Sequence, residues 1–230
     1  MKEIAILMAA GLGSRMMPLT EKTPKPLIKV HGKAMIETVI EGLLLRPVEE
    51  IYIVTGYLGE QFAFLCEKYP QVHLLHNPEY LTKNNISSVY AARDVLGTAD
   101  CFICESDLYV ADTAVFRKQL EHSCYYGRMQ QGYSADWVFD LQDGYISRVG
   151  KGGKDAYNMV GVSFFKREDA GILREEIEKA YALEENSSLF WDDVVNRNLD
   201  KLKLTIEQVQ EGQIVEIDTV EELEKVNESI

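Results

Sequence analysis

Residues 7–27 read LMAAGLGSRMMPLTEKTPKPL, a glycine loop that opens directly from the apolar run Ile4 to Met8. The short side chains of Ala9, Ala10, Gly11 and Gly13 let backbone N–H groups come close to an anion, and glycine supplies turn conformations that other residues resist. Arg15 adds a guanidinium fork matched to phosphate oxygens, and Lys25 adds a point charge on a flexible stem. Pro24 and Pro26 restrict the backbone on either side of Lys25, as expected where an ammonium must sit at a set place. These residues predict a loop that holds a polyanion between two fixed cations. The loop is neither of the two familiar glycine motifs. A Walker A loop closes on Gly-Lys-Ser/Thr, and a dinucleotide fingerprint needs a third glycine where Met16 stands. An isolated G-x-G is often only a strand-to-helix turn, and here the downstream Pro-Lys-Pro favours phosphate binding.

Charge distribution sharpens that reading. The chain has 37 acidic against 24 basic residues and a formal charge of −13, a balance that disfavours nucleic acid and anionic membrane surfaces as partners. Residues 1–33 reverse the trend, with Lys2, Arg15, Lys22, Lys25, Lys29 and Lys33 against only Glu3 and Glu21. This local excess of cations favours a polyanion site near the N-terminus, with a solvated basic face as the plainer alternative. No apolar stretch is long enough to span a bilayer, and the N-terminus lacks the shape of a signal peptide, so a cytoplasmic location is expected. Cys101 and Cys104 have C-x-x-C spacing inside an apolar run, where their side chains point to opposite faces, and no second such pair completes a zinc site. Buried thiols are the expectation for them. His31, His73, His76 and His122 show no paired acid or nucleophile and read as surface or core residues.

The elements that must position the loop form a simple rhythm. Strand-like runs at Ile4 to Met8, Ile51 to Thr55, Val72 to His76 and Cys101 to Cys104 alternate with helical patterns at Lys33 to Leu45, Leu58 to Tyr69 and Ile86 to Leu96. That alternation predicts an α/β fold, Rossmann-like, with a mostly parallel sheet covered on both faces by helices. Ligands in such sheets bind beyond the carboxyl ends of the strands, where the glycine loop and Asp107 both fall. After about Glu121 the pattern changes to antiparallel strands at Tyr125 to Met129, Trp137 to Leu141 and Tyr145 to Val149, with a turn at Gln142-Asp143-Gly144. A buried strand at Val160 to Phe165 follows, then helices at Glu168 to Leu183, Leu189 to Leu199 and Val220 to Ser229. The mixed sheet with its small antiparallel lobe is expected to form a single domain over residues 1–230. The helical character of the last residues leaves room for a further module beyond Ile230.

The pattern L-x-A-A-G-x-G-S-R-x-x-P-x-T-x-x-x-P-K-P-L at Leu7 to Leu27 resembles the signature of the nucleotidyltransferases that make nucleoside-diphosphate sugars and related activated headgroups. Later landmarks are KNNISSVY at Lys83 to Tyr90, ESD at Glu105 to Asp107, LFWDD at Leu189 to Asp193 and EIDT at Glu216 to Thr219. These are most similar to the small bacterial cytidylyltransferases, which include enzymes for choline phosphate and for 2-aminoethylphosphonate. The resemblance implies Arg15 and Lys25 as catalytic cations, Mg2+ as cofactor, and Asp107 and Asp218 as its ligands although 111 residues separate them. An aspartate at a strand end is otherwise more often a cap or turn residue. The implied reaction is attack of a phosphate or phosphonate oxygen on the α-phosphorus of CTP, with loss of pyrophosphate.

Cytosine recognition is expected from the loop backbone at Ala9, Ala10, Gly11 and Gly13, and from the polar cluster Asn84, Asn85, Ser87 and Ser88. Capping of the following helix explains some of those side chains equally well. For the acceptor, Asp136, Trp137, Ser188, Phe190 and Asp192 are the candidates. Trp137, Phe190 and Trp191 offer aromatic surface, with core packing an equal reading for Trp191. The choline-binding segment of the family, as matched here, carries an acid where this chain has Ser188 and a tyrosine where it has Phe190. Those departures place 2-aminoethylphosphonate ahead of phosphocholine. A sugar-1-phosphate transferase would carry a Glu-x-Pro segment not found here, and a non-catalytic regulatory module would have little need of Arg15, Lys25, Asp107 and Asp218 together.

Overall fold

The computed structural model describes residues 2–229. Its first half contains β1 (Glu3–Ala9), a small β2–β3 hairpin (Lys29–Val30 and Lys33–Ala34), α1 (Met35–Leu43), β4 (Val48–Thr55), α2 (Ala63–Lys68), β5 (Val72–His76), α3 (Ile86–Ala91), β6 (Asp100–Glu105) and β7 (Leu108–Val110). The second half contains β8 (Cys124–Gln142), β9 (Tyr145–Phe165), α4 (Arg167–Tyr181), α5 (Trp191–Arg197), β10 (Thr205–Gln208), β11 (Ile214–Glu216) and α6 (Val220–Glu228). Seven strands form one mixed sheet in the order β10-β8-β9-β6-β1-β4-β5, parallel from β6 to β5 and antiparallel where β9 meets β6 and β8.

Both faces of this sheet are buried, as continuous apolar strands require. In β1, Ala5, Leu7 and Ala9 face one core with α1 and α2, whereas Ile4 and Ile6 face a second core with α3, α4 and α5. The same alternation separates the two thiols of β6: Cys104 belongs to the first core and Cys101 to the second. Both are buried and unpaired. The C-x-x-C spacing is thus a product of strand packing.

Element boundaries differ from the sequence expectation where turns intervene. The helix expected from Lys33 starts at Met35, because His31 and Gly32 adopt positive φ values of 48° and 84° and close the β2–β3 hairpin first. The helix expected from Leu58 begins with a 3₁₀ turn over Gly59–Phe62, and α3 stops at Ala91 instead of Leu96. Downstream, the separate antiparallel segments are two long strands of 19 and 21 residues joined at Asp143-Gly144. Register shifts along this ribbon bend it, so that its base lies in the main sheet while Trp137 and Lys151 reach the carboxyl ends of the parallel strands.

One further pairing determines where chemistry can occur. β7 begins immediately after Asp107, β11 ends just before Asp218, and the two pair antiparallel with Glu216 opposite Leu108. The Ile217 N–H donates to the Asp107 carbonyl at 3.2 Å, which ties the ends together. Ile217 and Leu223 of the following helix pack with Met16, Ile28, Val30 and Met35 in a third core beneath the glycine loop. Thr219 caps α6: its hydroxyl accepts from the Glu222 N–H at 3.2 Å, and the Glu222 carboxylate accepts from the N–H groups of Thr219 and Asp218 at 2.9 and 2.8 Å. Thr219→Ala removes half of this box and should lower stability by about 1 kcal/mol, seen as a lower urea midpoint at unchanged m-value.

Candidate active site

Lys25 is the hub of the site. It is buried on a short 3₁₀ turn, Lys25–Leu27, that Pro24 and Pro26 predispose, and its ammonium donates to Asp107 Oδ2 and to Asp218 Oδ1 at 2.6 Å each. Burial opposes the charge, but the Asp107 and Asp218 carboxylates override that cost and raise the ammonium pKa. Gly13, at φ +63°, lies directly under the lysine stem: a Cβ there would stand 2.8 Å from the Lys25 Cβ. The Thr20 hydroxyl donates to the Gly13 carbonyl at 2.9 Å, and Tyr57 Oη donates to the Thr20 carbonyl at 3.0 Å, which fixes the loop from below. Arg15 stands at the exposed mouth with Nη2 2.7 Å from Asp218 Oδ1.

Carboxylate oxygens of Asp107, Glu216 and Asp218 lie within 4.8 Å of one another. Hard oxygen donors in this number suit a magnesium-like cation that also binds substrate phosphate and water. Glu216 keeps much of its surface in water; partial desolvation at the cleft and then the Asp107 and Asp218 charges push its carboxyl up, against the pull of Lys25 and Arg15. Three acids so placed favour the arrival of positive charge. The cleft they border has a volume of about 560 Å³, within the usual range for small-molecule sites.

The structure gathers most of the residues expected from sequence. Ala10, Gly11, Arg15, Asn85, Ser88, Asp107, Asp136, Trp137, Phe190 and Asp218 line the cleft. Ala9, Gly11, Gly13, Lys25 and Asn84 line an adjoining pocket on the other side of the loop. The asparagines have a different task from helix capping. Asn84 Nδ2 donates to the Ser188 carbonyl at 2.9 Å and Asn85 Oδ1 accepts from the Trp191 N–H at 3.0 Å, so this pair holds the 187–191 segment beside the cleft.

Two acceptor candidates are displaced. The structure does not bring Ser188 to the cleft wall: the residue is exposed, and its carbonyl is engaged by Asn84. Asp192 is 2% exposed and points beneath the cleft floor, where Tyr125 Oη donates to it at 3.0 Å. The first turn of α5 turns Asp192 inward with Trp191, itself a core residue stacked on Tyr125. Sequence reasoning passed over Glu105, Glu216 and Lys151, which also face the cleft. Glu105-Ser106-Asp107 and Glu216-Ile217-Asp218 share E-x-D spacing, which puts both acids of each pair on one side of extended backbone. That repeat was the available signal.

Comparison with known proteins agrees with this geometry. Residues 5–135 match the MobA-like NTP transferase domain. A 2-aminoethylphosphonate cytidylyltransferase from Lancefieldella rimae is 54% identical over 223 residues, covering 96% of this chain and 91% of that one. The chain belongs to the bacterial cytidylyltransferases of this nucleotidyltransferase family. A choline-phosphate cytidylyltransferase from Streptococcus pneumoniae is 36% identical, covering 97% of this transferase and 96% of its own length. The solved structure of a CTP:phosphocholine cytidylyltransferase from the same organism superposes with a TM-score of 0.91 at 35% identity, covering 99% of each chain. Among the described residues of the transferase, no helix is long and apolar enough to cross a membrane.

The buried Asp192 gives the transferase a measurable pH signature. Burial raises its carboxyl from 3.8 to about 7, against the Tyr125 hydrogen bond, which lowers it. The folded chain therefore binds one more proton than the unfolded chain between those two values, and this contribution to stability falls as pH rises through that window. Asp192→Asn keeps an acceptor for Tyr125 and removes the titration. Its Tm relative to the parent protein should rise progressively from about pH 4 to pH 8, as followed by scanning calorimetry.

Proposed function

We propose that this transferase couples CMP from CTP to 2-aminoethylphosphonate and releases pyrophosphate. The observation that carries the proposal is the Asp107, Glu216 and Asp218 cluster held against Lys25 and Arg15 at the end of the glycine loop. In this reading a phosphonate oxygen of the acceptor forms a bond to the α-phosphorus of CTP. The bridging bond from that phosphorus to the β-phosphate breaks, and pyrophosphate leaves with the electron pair. An ionised phosphonate oxygen is already a nucleophile, so no general base is required. Lys25 and Arg15 hold the reacting anions in line and offset the charge that develops. Mg2+, held by Asp107, Glu216 and Asp218, would supply Lewis-acid charge to the triphosphate. The backbone at Ala10 and Gly11, with Asn85 and Ser88, is the proposed nucleotide side, and Asp136, Trp137 and Phe190 form the proposed acceptor side.

The choice of acceptor rests on the 54% identity to the aminoethylphosphonate enzyme and on Lys151. The Lys151 ammonium lies 5.2 Å from the Phe190 ring centroid and 5.9 Å from that of Trp137. A trimethylammonium headgroup would compete with it for the same two aromatic faces. A primary amine has N–H donors and does not depend on them. We further propose that residues 1–230 act as one catalytic domain, in the cytoplasm.

Pyrophosphate release, measured with each nucleoside triphosphate and each acceptor, tests this function. CTP with 2-aminoethylphosphonate should be the best pair, ahead of CTP with phosphocholine. Chelation should abolish turnover and Mg2+ should restore it. Lys25→Met should lower kcat/KM by about 10²–10³-fold. Faster turnover with phosphocholine would reverse the acceptor assignment.

A further inference from the structure

The walls of the cleft carry five carboxylates, from Glu105, Asp107, Asp136, Glu216 and Asp218, against the cations Arg15 and Lys151. Four of the five have evident roles or relief. Asp107, Glu216 and Asp218 form the metal cluster, and Asp136 is exposed at the rim. Glu105 is different. It is the last residue of β6, paired with Met8 of β1, and its side chain is fixed at the floor between the cleft and a small void above Asp192. Among the described residues no hydrogen bond or ion pair engages it.

Gly161 of β9 makes this position possible. Its φ is +74°, and a Cβ there would lie 3.2 Å from Glu105 Oε2 and 3.0 Å from Leu108. Glu105 is half-buried at the cleft floor, and a carboxylate there that lacks a partner favours a ligand able to supply one. Neither a triphosphate nor a phosphonate group offers it relief, since both are anions. A ligand that brings a cation does.

Resting on the function proposed above, we propose that Glu105 binds the primary ammonium of the acceptor and selects acceptors that carry one. A primary ammonium has three N–H donors and makes charge-assisted hydrogen bonds to a carboxylate. A quaternary ammonium has none to give. Glu105 thereby assigns the amine end of the acceptor to the cleft floor, leaving its phosphonate to the cationic mouth.

The test compares 2-aminoethylphosphonate with propylphosphonate, in which a methyl group replaces the ammonium, on the wild-type protein and on Glu105→Gln. The ratio of kcat/KM for the amine over the methyl acceptor should fall about 10- to 100-fold in Glu105→Gln, mainly through KM. The Mg2+ concentration for half-maximal rate should stay at its wild-type value. An unchanged ratio overturns the proposal, and so does a raised Mg2+ requirement with equal loss for both acceptors, which would make Glu105 part of the metal cluster. If Glu105→Gln loses its cooperative unfolding transition, Glu105→Asp takes its place: it keeps the charge, withdraws it by one methylene and should lower the same ratio. A wild-type protein that uses CTP with neither acceptor ends the underlying function and this proposal together; one that uses 2-aminoethylphosphonate while both variants keep its ratio ends this proposal alone.

Discussion

A single buried ammonium organises the molecule. Lys25 joins three parts of the chain that are remote in sequence: the N-terminal loop, the end of the central strand β6 and the segment preceding the last helix. Its two 2.6 Å contacts reach Asp107 and Asp218, carboxylates that would repel each other without a cation between them. The surrounding structure serves to keep that ammonium in place. The flanking prolines restrict its backbone, Gly13 clears space for its stem, and the β7–β11 pairing delivers both acids to it. Ile217, buried below, anchors the C-terminal strand to the same core that supports the loop.

Much of this is legible in the amino-acid sequence alone. The alternation of apolar strands with helices specified the parallel half of the sheet, because a strand buried on both faces leaves an unmistakable run such as Ile4 to Met8. The glycine loop and its cations were readable because their chemistry is local. What escaped was nonlocal or depended on a single rotation. Nothing around Cys124 or Phe165 announces that two long strands will pair along nearly their whole length. Asp192 and Asp193 are adjacent in sequence, and only the packing of Trp191 decides which turns inward: Asp192 goes to Tyr125, whereas Asp193 accepts from the Phe190 N–H at 3.0 Å. Asn84 and Asn85 read equally well as caps of the following helix, but their side chains engage Ser188 and Trp191, about a hundred residues downstream.

The strongly negative chain charge and the anionic ligands of the family are compatible for a local reason. The acids of the cleft are not scattered over a surface; Asp107, Glu216 and Asp218 converge beside Lys25 and Arg15, in an arrangement that could also hold a divalent cation. Under the proposed function such a cleft would admit a triphosphate in company with its counter-charges, which would make the acidity of the site part of its selectivity.

The long bent ribbon has a consequence for how this scaffold can diversify. Under the proposed function, grip on the phosphates would come from residues 9–25, 107 and 216–218, whereas Trp137 and Lys151 reach the opposite wall from one continuous hairpin and Phe190 joins them from a neighbouring segment. The two walls are attached to different stretches of chain. In that reading, substitutions in the hairpin would reshape the acceptor wall without touching the residues of the opposite wall, so headgroup specificity could change separately from nucleotide binding.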